Sequence, residues 1–179
     1  MVSSAWGPFL FDTSAESWIA RSVDPAVKSW LREYLLRQQV HVSAVTVVER
    51  VRGYGLLWRR TGEEGRERIE AARLAYLGAL GRVWPLDGAV AVVGGEIMAL
   101  LPHSPTPPRR AHQLAESRQE RLVRWRFDAM IAATALVARM PLIHNNPVDF
   151  ESIRSAIERD PARFPKLGPL NLIRCGSLT

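Results

Sequence analysis

Three acidic residues, far apart in the chain, each lie near a point where a predicted strand gives way to a helix. Asp12 follows the apolar run 9–11, Glu49 comes a few residues after the strand-like run 40–42, and Asp128 precedes a long apolar stretch. Ligands of open α/β sheets bind in the crevice beyond the carboxyl ends of the strands. Carboxylates gathered there repel one another unless a cation neutralises them. The pattern therefore indicates a divalent-metal site built from Asp12, Glu49 and Asp128.

Each of these three acids also has an ordinary structural interpretation. Asp12 is a favoured helix cap, but Thr13 and Glu16 are spaced as a capping box, and this predicts that Thr13 caps the helix and leaves Asp12 free for the crevice. Glu49 falls inside a predicted helix beside apolar residues, so we expect it to be half-buried. A surface ion pair between Glu49 and Arg52 is the alternative.

Asp128 precedes an almost wholly apolar helix, predicted over residues 129–140 and buried against the sheet. As an N-cap of that helix Asp128 would have a structural role, which is compatible with metal binding. Four arginines lie just upstream and would neutralise a simple surface charge: Arg118, Arg121, Arg124 and Arg126.

Asn146 and Asp149 follow the strand predicted at residues 142–143 and are further candidates for the site, because each carries an oxygen that can bind a metal ion. Turn formation and the start of a helix explain the same residues equally well. The histidines show no spacing typical of zinc ligands and are treated as incidental; they are His41, His103, His112 and His144.

Short apolar runs alternate with helical periodicity along the chain, which is typical of an α/β fold with parallel strands. Strands are predicted at residues 8–11, 40–43, 83–86, 142–143 and 170–173. Helices are predicted from residue 13 and over 25–37, 43–58, 66–80, 89–101 and 129–140. The proline-rich segment 102–108 is predicted to be an exposed loop. No internal repeat is evident, and the whole chain, 1–179, is predicted to be a single domain.

Composition limits the class of protein. A chain of 179 residues with 47% hydrophobic residues suits one soluble domain. No apolar stretch approaches the length of a membrane span, so no membrane partner is expected. The N-terminus does not resemble a secretory signal, and the single cysteine, Cys175, cannot form an internal disulfide. We therefore predict a cytoplasmic location.

The basic residues are unusual in kind. The net charge is +6, and the 24 basic residues are arginines except for Lys28 and Lys166. The planar guanidinium group binds phosphate with two hydrogen bonds and stacks on bases, so an excess of arginine suits a nucleic-acid partner. A GC-rich genome explains the ratio of arginine to lysine equally well, but it does not explain the positive surplus.

Four motifs, read in order, resemble the PIN domain family and, within it, the VapC-type toxin ribonucleases. They are Leu10-Phe11-Asp12-Thr13-Ser14, Val42-Ser43-Ala44-Val45-Thr46-Val47-Val48-Glu49, Asp128-Ala129-Met130-Ile131-Ala132-Ala133-Thr134-Ala135 and Asn146-Pro147-Val148-Asp149-Phe150. The first is similar to the family's opening of an apolar residue, Asp, Thr and Asn. The last matches its Asn-x-x-Asp-Phe ending. Together the motifs cover most of the chain.

This resemblance implies a three-layer α/β/α sandwich with a central, mostly parallel sheet, whose acids bind Mg²⁺ or Mn²⁺ and cleave RNA. Asp12, Glu49 and Asp128 match the three core acids and are the implied metal ligands. Asn146 stands where many relatives carry a fourth acid, and Asp149 is a nearby carboxylate that would assist. The implied partners are an RNA substrate and a small antitoxin, whose peptide tail covers the active-site groove. The family also allows a homodimer.

The sequence departs from the family pattern at three places. Ser14 replaces the usual Asn, Asn146 lowers the negative charge of the site by one unit, and a Pro/Arg-rich stretch around 102–126 is longer and more basic than expected. We interpret this stretch as an insertion that grips RNA or reshapes the partner groove.

Ser14 and Asn146 also leave open an alternative function, a non-catalytic PIN-like module that binds RNA or protein. A phosphotransferase that uses Asp12 as nucleophile is disfavoured. A haloacid-dehalogenase-type site needs a second Asp where Ser14 stands. A receiver domain needs a lysine at a late strand end, and neither Lys28 nor Lys166 is placed there.

Overall fold

The structure, a computed structural model, describes residues 7–105, 110–111, 114–115, 117–164 and 167–178. For 110–111 and 114–115 it describes only the backbone. The C-terminal half of the predicted loop 102–108, and His112 and Lys166, lie outside the residues whose placement is described.

Five short parallel strands form the main sheet. In chain order they are β1 (Leu10–Phe11), β2 (His41–Ser43), β3 (Arg82–Trp84), β6 (Leu142–His144) and β7 (Leu172–Arg174). Their order across the sheet is β3-β2-β1-β6-β7, and every pairing is parallel. A separate antiparallel pair consists of β4 (Arg110–Ala111) and β5 (Leu114–Ala115). All five strands of the main sheet were predicted, each within three residues of its observed ends.

Seven α-helices are found among the described residues. They are α1 (Thr13–Arg21), α2 (Pro25–Leu35), α3 (Ala44–Arg60), α4 (Glu63–Gly78), α5 (Gly88–Leu100), α6 (Arg118–Ala138) and α7 (Pro147–Arg159). Their starts follow local chemistry: for example, Pro25 occupies the first turn of α2, and the Asp24 carboxylate accepts from the Ala26 amide at 2.8 Å. The predicted cap at Ser43 is confirmed, since its hydroxyl accepts from the Thr46 amide at 3.0 Å.

Side chains along the central strand alternate between the two faces of the sheet and so divide the core into two clusters. Leu10 packs on one side of the sheet with residues of α5, α6 and α7. Phe9 and Phe11 pack on the other side with residues of α1 and α2, including Tyr34. Successive side chains of a strand point to opposite faces, so a central strand must be apolar on both. The three-layer α/β/α sandwich is thereby confirmed.

The beginning of α6 corrects two predictions. Helix α6 begins at Arg118 rather than at residue 129, so Asp128 is not an N-cap but lies in the middle of the helix. The actual cap is Ser117, which forms a capping box with Glu120. The arginine-rich sequence 118–127 hid this extension, because a helix half exposed and half buried shows no single apolar periodicity. Part of the predicted insertion, 118–126, is therefore helix.

No helix among the described residues is long and apolar enough to cross a membrane.

Candidate active site

The site lies where the connectivity of the sheet changes direction. From β1 the chain proceeds to β2 and β3 on one side of the sheet, and β6 and β7 add to the other side. Helices that follow β1 and β6 leave a crevice between these neighbouring strands at their carboxyl ends. The Asn145 amide donates to the Ser14 hydroxyl at 3.2 Å and joins the two strand ends across it.

Asp12 directly follows β1 and is 2% exposed. Its Oδ1 accepts from the Ala15 amide at 2.6 Å, and its Oδ2 accepts from the Ser14 hydroxyl at 2.7 Å. Asp12, in extended conformation, is thus the N-cap of α1, and the prediction that Thr13 caps this helix is wrong. Asp12 accepts a hydrogen bond from the amide three residues later, as a capping Ser or Thr would. It can therefore cap α1 and also lie in the crevice.

Thr13 instead connects α1 to Glu49. Its hydroxyl donates to Glu49 Oε2, and Glu49 is half-buried on the second turn of α3, as predicted from its apolar neighbours on the helix. The Glu16 side chain, expected to complete the capping box, forms an ion pair with Arg50 at 3.3 Å. Two helices from different strands, α1 and α3, are therefore connected by polar side chains near the crevice.

Asn146 connects two further carboxylates. Its amide nitrogen donates to Asp128 Oδ2 at 3.1 Å and to Asp149 Oδ2 at 2.7 Å. In this orientation Asn146 acts as a donor between two acids, whereas the sequence suggested an oxygen ligand. Asp128 is 8% exposed and Asp149 is fully buried, so each needs donors of this kind.

Asp149 is neutralised by a cation that the protein itself supplies. Arg124 Nη1 lies 3.2 Å from Asp149 Oδ2, and the Ser104 hydroxyl lies 3.5 Å from Asp149 Oδ1. Arg124 stands one helical turn before Asp128 on the same face of α6. The upstream arginines would pair with Asp128 if it were a simple surface charge, but Asp128 is buried and Arg124 pairs with Asp149.

Burial and mutual repulsion dominate the electrostatics of the crevice. Burial raises the pKa of Asp12 to about 7, and the charge of Glu49 contributes in the same direction. Burial also raises the pKa of Asp128 well above its usual range, and the neighbouring charges of Asp149, Asp12 and Glu49 add to this effect. All five predicted site residues therefore lie in one region, four of them as acids that influence one another electrostatically.

A hard divalent cation fits this donor set in charge and chemistry. Among the described residues, however, no three Asp, Glu, His or Cys side chains are arranged so that they could hold a metal ion together. The side chains of Asp12, Glu49 and Asp149 are each directed to donors within the protein. Mg²⁺ keeps several waters and is often held by one or two carboxylates with substrate phosphates, so a preformed three-ligand cage is not required. The three-ligand set stays a prediction.

Sequence reasoning missed Arg124 and Ser104, and it assigned Thr13 the wrong role. Arg124 precedes Asp128 by four residues, which would have placed both on one helix face had the helix been predicted to begin earlier. Ser104 lies in the segment predicted to be an exposed loop, yet it is buried, and no local pattern indicated this.

Comparison with known proteins identifies the family. Residues 9–155 match the family model described as PIN domain. The chain belongs to the PIN domain family. All five predicted site residues fall within the matched part of this PIN domain, and PIN domains are in general nucleases. No curated protein matches the sequence.

Solved structures agree with the PIN fold. VapBC2 from Rickettsia felis, bound to a DNA fragment from their promoter, aligns with a TM-score of 0.57 and 13% identity over 93% of this chain and 97% of the other. DNA-bound VapBC from Salmonella typhimurium aligns with a TM-score of 0.56 and 19% identity over 93% of this chain and 97% of the other. FitAcB from Neisseria gonorrhoeae aligns with a TM-score of 0.53 and 24% identity over 81% of this chain and 92% of the other. At these identities the likeness establishes a shared fold.

Proposed function

We propose that this PIN domain is a Mg²⁺- or Mn²⁺-dependent endoribonuclease that hydrolyses RNA phosphodiester bonds, and that it is the toxin of a VapBC-type toxin–antitoxin pair. Four interacting carboxylates lie together where the connectivity of the sheet changes direction, and this observation carries the proposal. They are Asp12, Glu49, Asp128 and Asp149. Two of them have pKa values raised by burial, so their ionisation costs the folded chain free energy that a bound cation would offset.

Asp12 and Asp128 would hold the ion, with Glu49 next to them. A bound ion supplies neutralisation of charge at the scissile phosphate and activation of water. Ser14 and the Ala15 amide hold the Asp12 carboxylate, and the Thr13 hydroxyl holds that of Glu49. These contacts limit the number of side-chain conformations and so orient the acids before substrate arrives.

On the other side of the crevice, Asn146 is a positioning residue for Asp128, and Arg124 compensates the charge of Asp149. Asp149 then contributes by fixing Asn146 and Arg124 rather than by contacting the ion. Because Asp149 is paired with Arg124, the charges of three carboxylates remain to bind the cation beside the substrate: Asp12, Glu49 and Asp128. Glu49, directed to the crevice from α3, is the residue that would orient the attacking water.

The proposed partners are RNA and a cognate antitoxin. The arginine-dominated surplus of +6 suits RNA as substrate, and unstacked single-stranded regions are the part of RNA that proteins read most readily. The antitoxin rests on likeness in fold to VapBC and FitAcB alone. A homodimer and a cytoplasmic location complete the proposal.

The test is cleavage of labelled RNA by purified protein with Mg²⁺ or Mn²⁺ and with EDTA. Asp12→Asn should reduce the metal-dependent rate at least about 100-fold while the circular dichroism spectrum is retained, because the variant keeps the helix cap and loses the charge. Asp24→Asn is the matched control, since Asp24 caps α2 in the same way and is exposed. Metal-dependent cleavage at the wild-type rate by folded Asp12→Asn protein would refute the proposal.

A non-catalytic PIN-like module that binds RNA or protein is the second candidate. It is favoured by the lack of a ready three-ligand group among the described residues and by Asn146 in place of an acid. Titration calorimetry with Mn²⁺ separates the two. The nuclease requires Mn²⁺ binding that Asp128→Asn removes, whereas a non-catalytic module shows no Mn²⁺ binding that depends on Asp128.

A further inference from the structure

A second cleft, of about 480 Å³, lies beside the candidate active site. One wall is the segment 102–104, and the other is the N-terminal half of α6, which contributes Arg118, Arg121 and Arg126. The wall segment is fastened at Ser104, whose carbonyl oxygen accepts from Arg121 Nη2 at 2.9 Å and whose hydroxyl lies 3.5 Å from Asp149 Oδ1. The cleft is therefore shaped by contacts that also belong to the active site.

The charge of this cleft is positive and uncompensated within the described part of the chain. Arg124, the fourth arginine of this helix segment, is paired with Asp149. No salt bridge to Arg118, Arg121 or Arg126 is found among the described residues, and the one hydrogen bond of Arg121 goes to an uncharged carbonyl. The neighbouring Glu120 is directed to the Ser117 backbone and hydroxyl as part of the helix cap.

One edge of the cleft, at Arg121, lies on the face of α6 that carries Asp128. Arg121 precedes Asp128 by seven residues, two helical turns, so it stands on the same face about 10 Å away along the helix axis. A substrate with a single phosphate would be repelled by the acids of the crevice. A chain of phosphates is long enough to reach both places, so its attraction to the arginines can offset its repulsion by the acids.

Resting on the proposed ribonuclease function, we propose that this cleft binds the backbone phosphates of single-stranded RNA next to the scissile bond. Arg118 and Arg126, both exposed, would contact phosphates directly, since a guanidinium group donates two parallel hydrogen bonds to a phosphate. Arg121 would hold the wall segment and add its charge. The site is one for the sugar–phosphate chain and does not read bases.

The experiment measures binding of a fluorescein-labelled single-stranded oligoribonucleotide by fluorescence anisotropy, in EDTA so that cleavage is prevented, over a series of salt concentrations. The test variant is Arg118→Gln/Arg126→Gln, which leaves the structural contacts of Arg121 and Arg124 intact. The matched control is Arg59→Gln/Arg60→Gln, which removes the same charge from two exposed arginines at the far end of α3.

Each phosphate contact to a single strand contributes about 0.7 to the slope of log K against log salt. The test variant should therefore show a slope less steep by roughly 1.4 and, at low salt, an affinity weaker by about tenfold or more. The control should keep the wild-type slope. Equal slopes for the test and control variants would overturn the inference. A second measurement uses an acidic peptide in place of RNA, and a test variant that loses binding to the peptide but keeps binding to RNA would also overturn the inference.

Failure of this inference is distinguishable from failure of the proposed function. Cleavage by the wild-type protein in Mg²⁺ is measured separately on the same RNA. A wild-type enzyme that cleaves RNA, with a test variant that binds RNA as the control does, retains the nuclease and rejects the cleft. A wild-type protein that binds RNA with the predicted slopes but cleaves none supports the cleft and rejects the nuclease.

Discussion

Replacing Asp12 by Asn should stabilise this PIN domain in the absence of metal, and increasingly so as the pH rises. Burial raises the pKa of Asp12 from its ordinary value of 3.8 to about 7. The folded protein therefore holds this proton more tightly than the unfolded chain does. Between about pH 4 and pH 7 folding takes up a proton, so the free energy of unfolding falls as the pH rises through this window.

The magnitude follows from the two pKa values. Each pKa unit corresponds to about 1.4 kcal/mol, so a difference of about three units amounts to roughly 4 kcal/mol at pH 8. Asn keeps the cap, because its side-chain oxygen accepts from the Ala15 amide as Asp12 Oδ1 does at 2.6 Å. The variant and the wild type should thus be nearly equal in stability at pH 4 and differ by roughly 4 kcal/mol at pH 8.

Urea unfolding in EDTA at several pH values, followed by circular dichroism, measures this difference. The comparison with wild type matters because His144 acts in the opposite direction. Burial and the charge of Arg174 lower the pKa of His144 to about 4, so it adds stability as the pH rises from 4 to about 6.5. That contribution is common to both proteins and cancels in the difference. Mg²⁺ should restore stability to the wild type at pH 8 and give little to Asp12→Asn.

The control for this experiment is Asp24→Asn. Asp24 caps α2 through the Ala26 amide at 2.8 Å, as Asp12 caps α1, but it is exposed and lies outside the crevice. Its substitution should change stability little. A difference between Asp12→Asn and wild type that stays below about 1 kcal/mol from pH 4 to pH 8 would refute the electrostatic reasoning.

Two further predictions concern the other side of the crevice. Arg124→Gln should lower the free energy of unfolding by roughly 2–4 kcal/mol, because it leaves the fully buried Asp149 without its cation. The control is Arg126→Gln, on the same helix but exposed, which should lower the free energy of unfolding by less than about 0.5 kcal/mol in the same urea experiment. Asn146→Asp should destabilise the metal-free protein by about 1–3 kcal/mol at pH 8, since a donor to Asp128 and Asp149 becomes a third like charge; a loss that persists unchanged at pH 4 or in Mg²⁺ would contradict this reason.

Local patterns were sufficient for the strands and for the acids that follow them. β1 and β6 are short apolar runs, and Asp12 and Asn146 follow them directly or within two residues, so strand ends and candidate site residues were predicted together. The Ser43 cap was likewise evident, because capping depends on residues close in the chain. The same local chemistry misled at Thr13, where two adjacent residues, Asp12 and Thr13, both suit a cap and only the backbone conformation selects between them.

The environment of each acid was settled by tertiary structure. Asn146 lies between Asp128 and Asp149, and Arg124 neutralises Asp149, because α6 and α7 pack side by side. These residues are separated by up to 25 positions, and nothing in the sequence gives their distances. Ser104 is buried within a described segment, 102–105, that is otherwise exposed, as predicted, and the reason is the same, since its contacts come from α6 and α7.

Local sequence patterns predicted the five main strands, most helix positions and the segments that carry carboxylates, because apolar periodicity and capping act between neighbours along the chain. Packing of the whole chain sets the order of the strands, β3-β2-β1-β6-β7, and hence brings acids from four segments into one crevice. The pKa values of Asp12 and Asp128 follow from that packing, since burial and nearby charge are properties of the folded chain and not of any single segment.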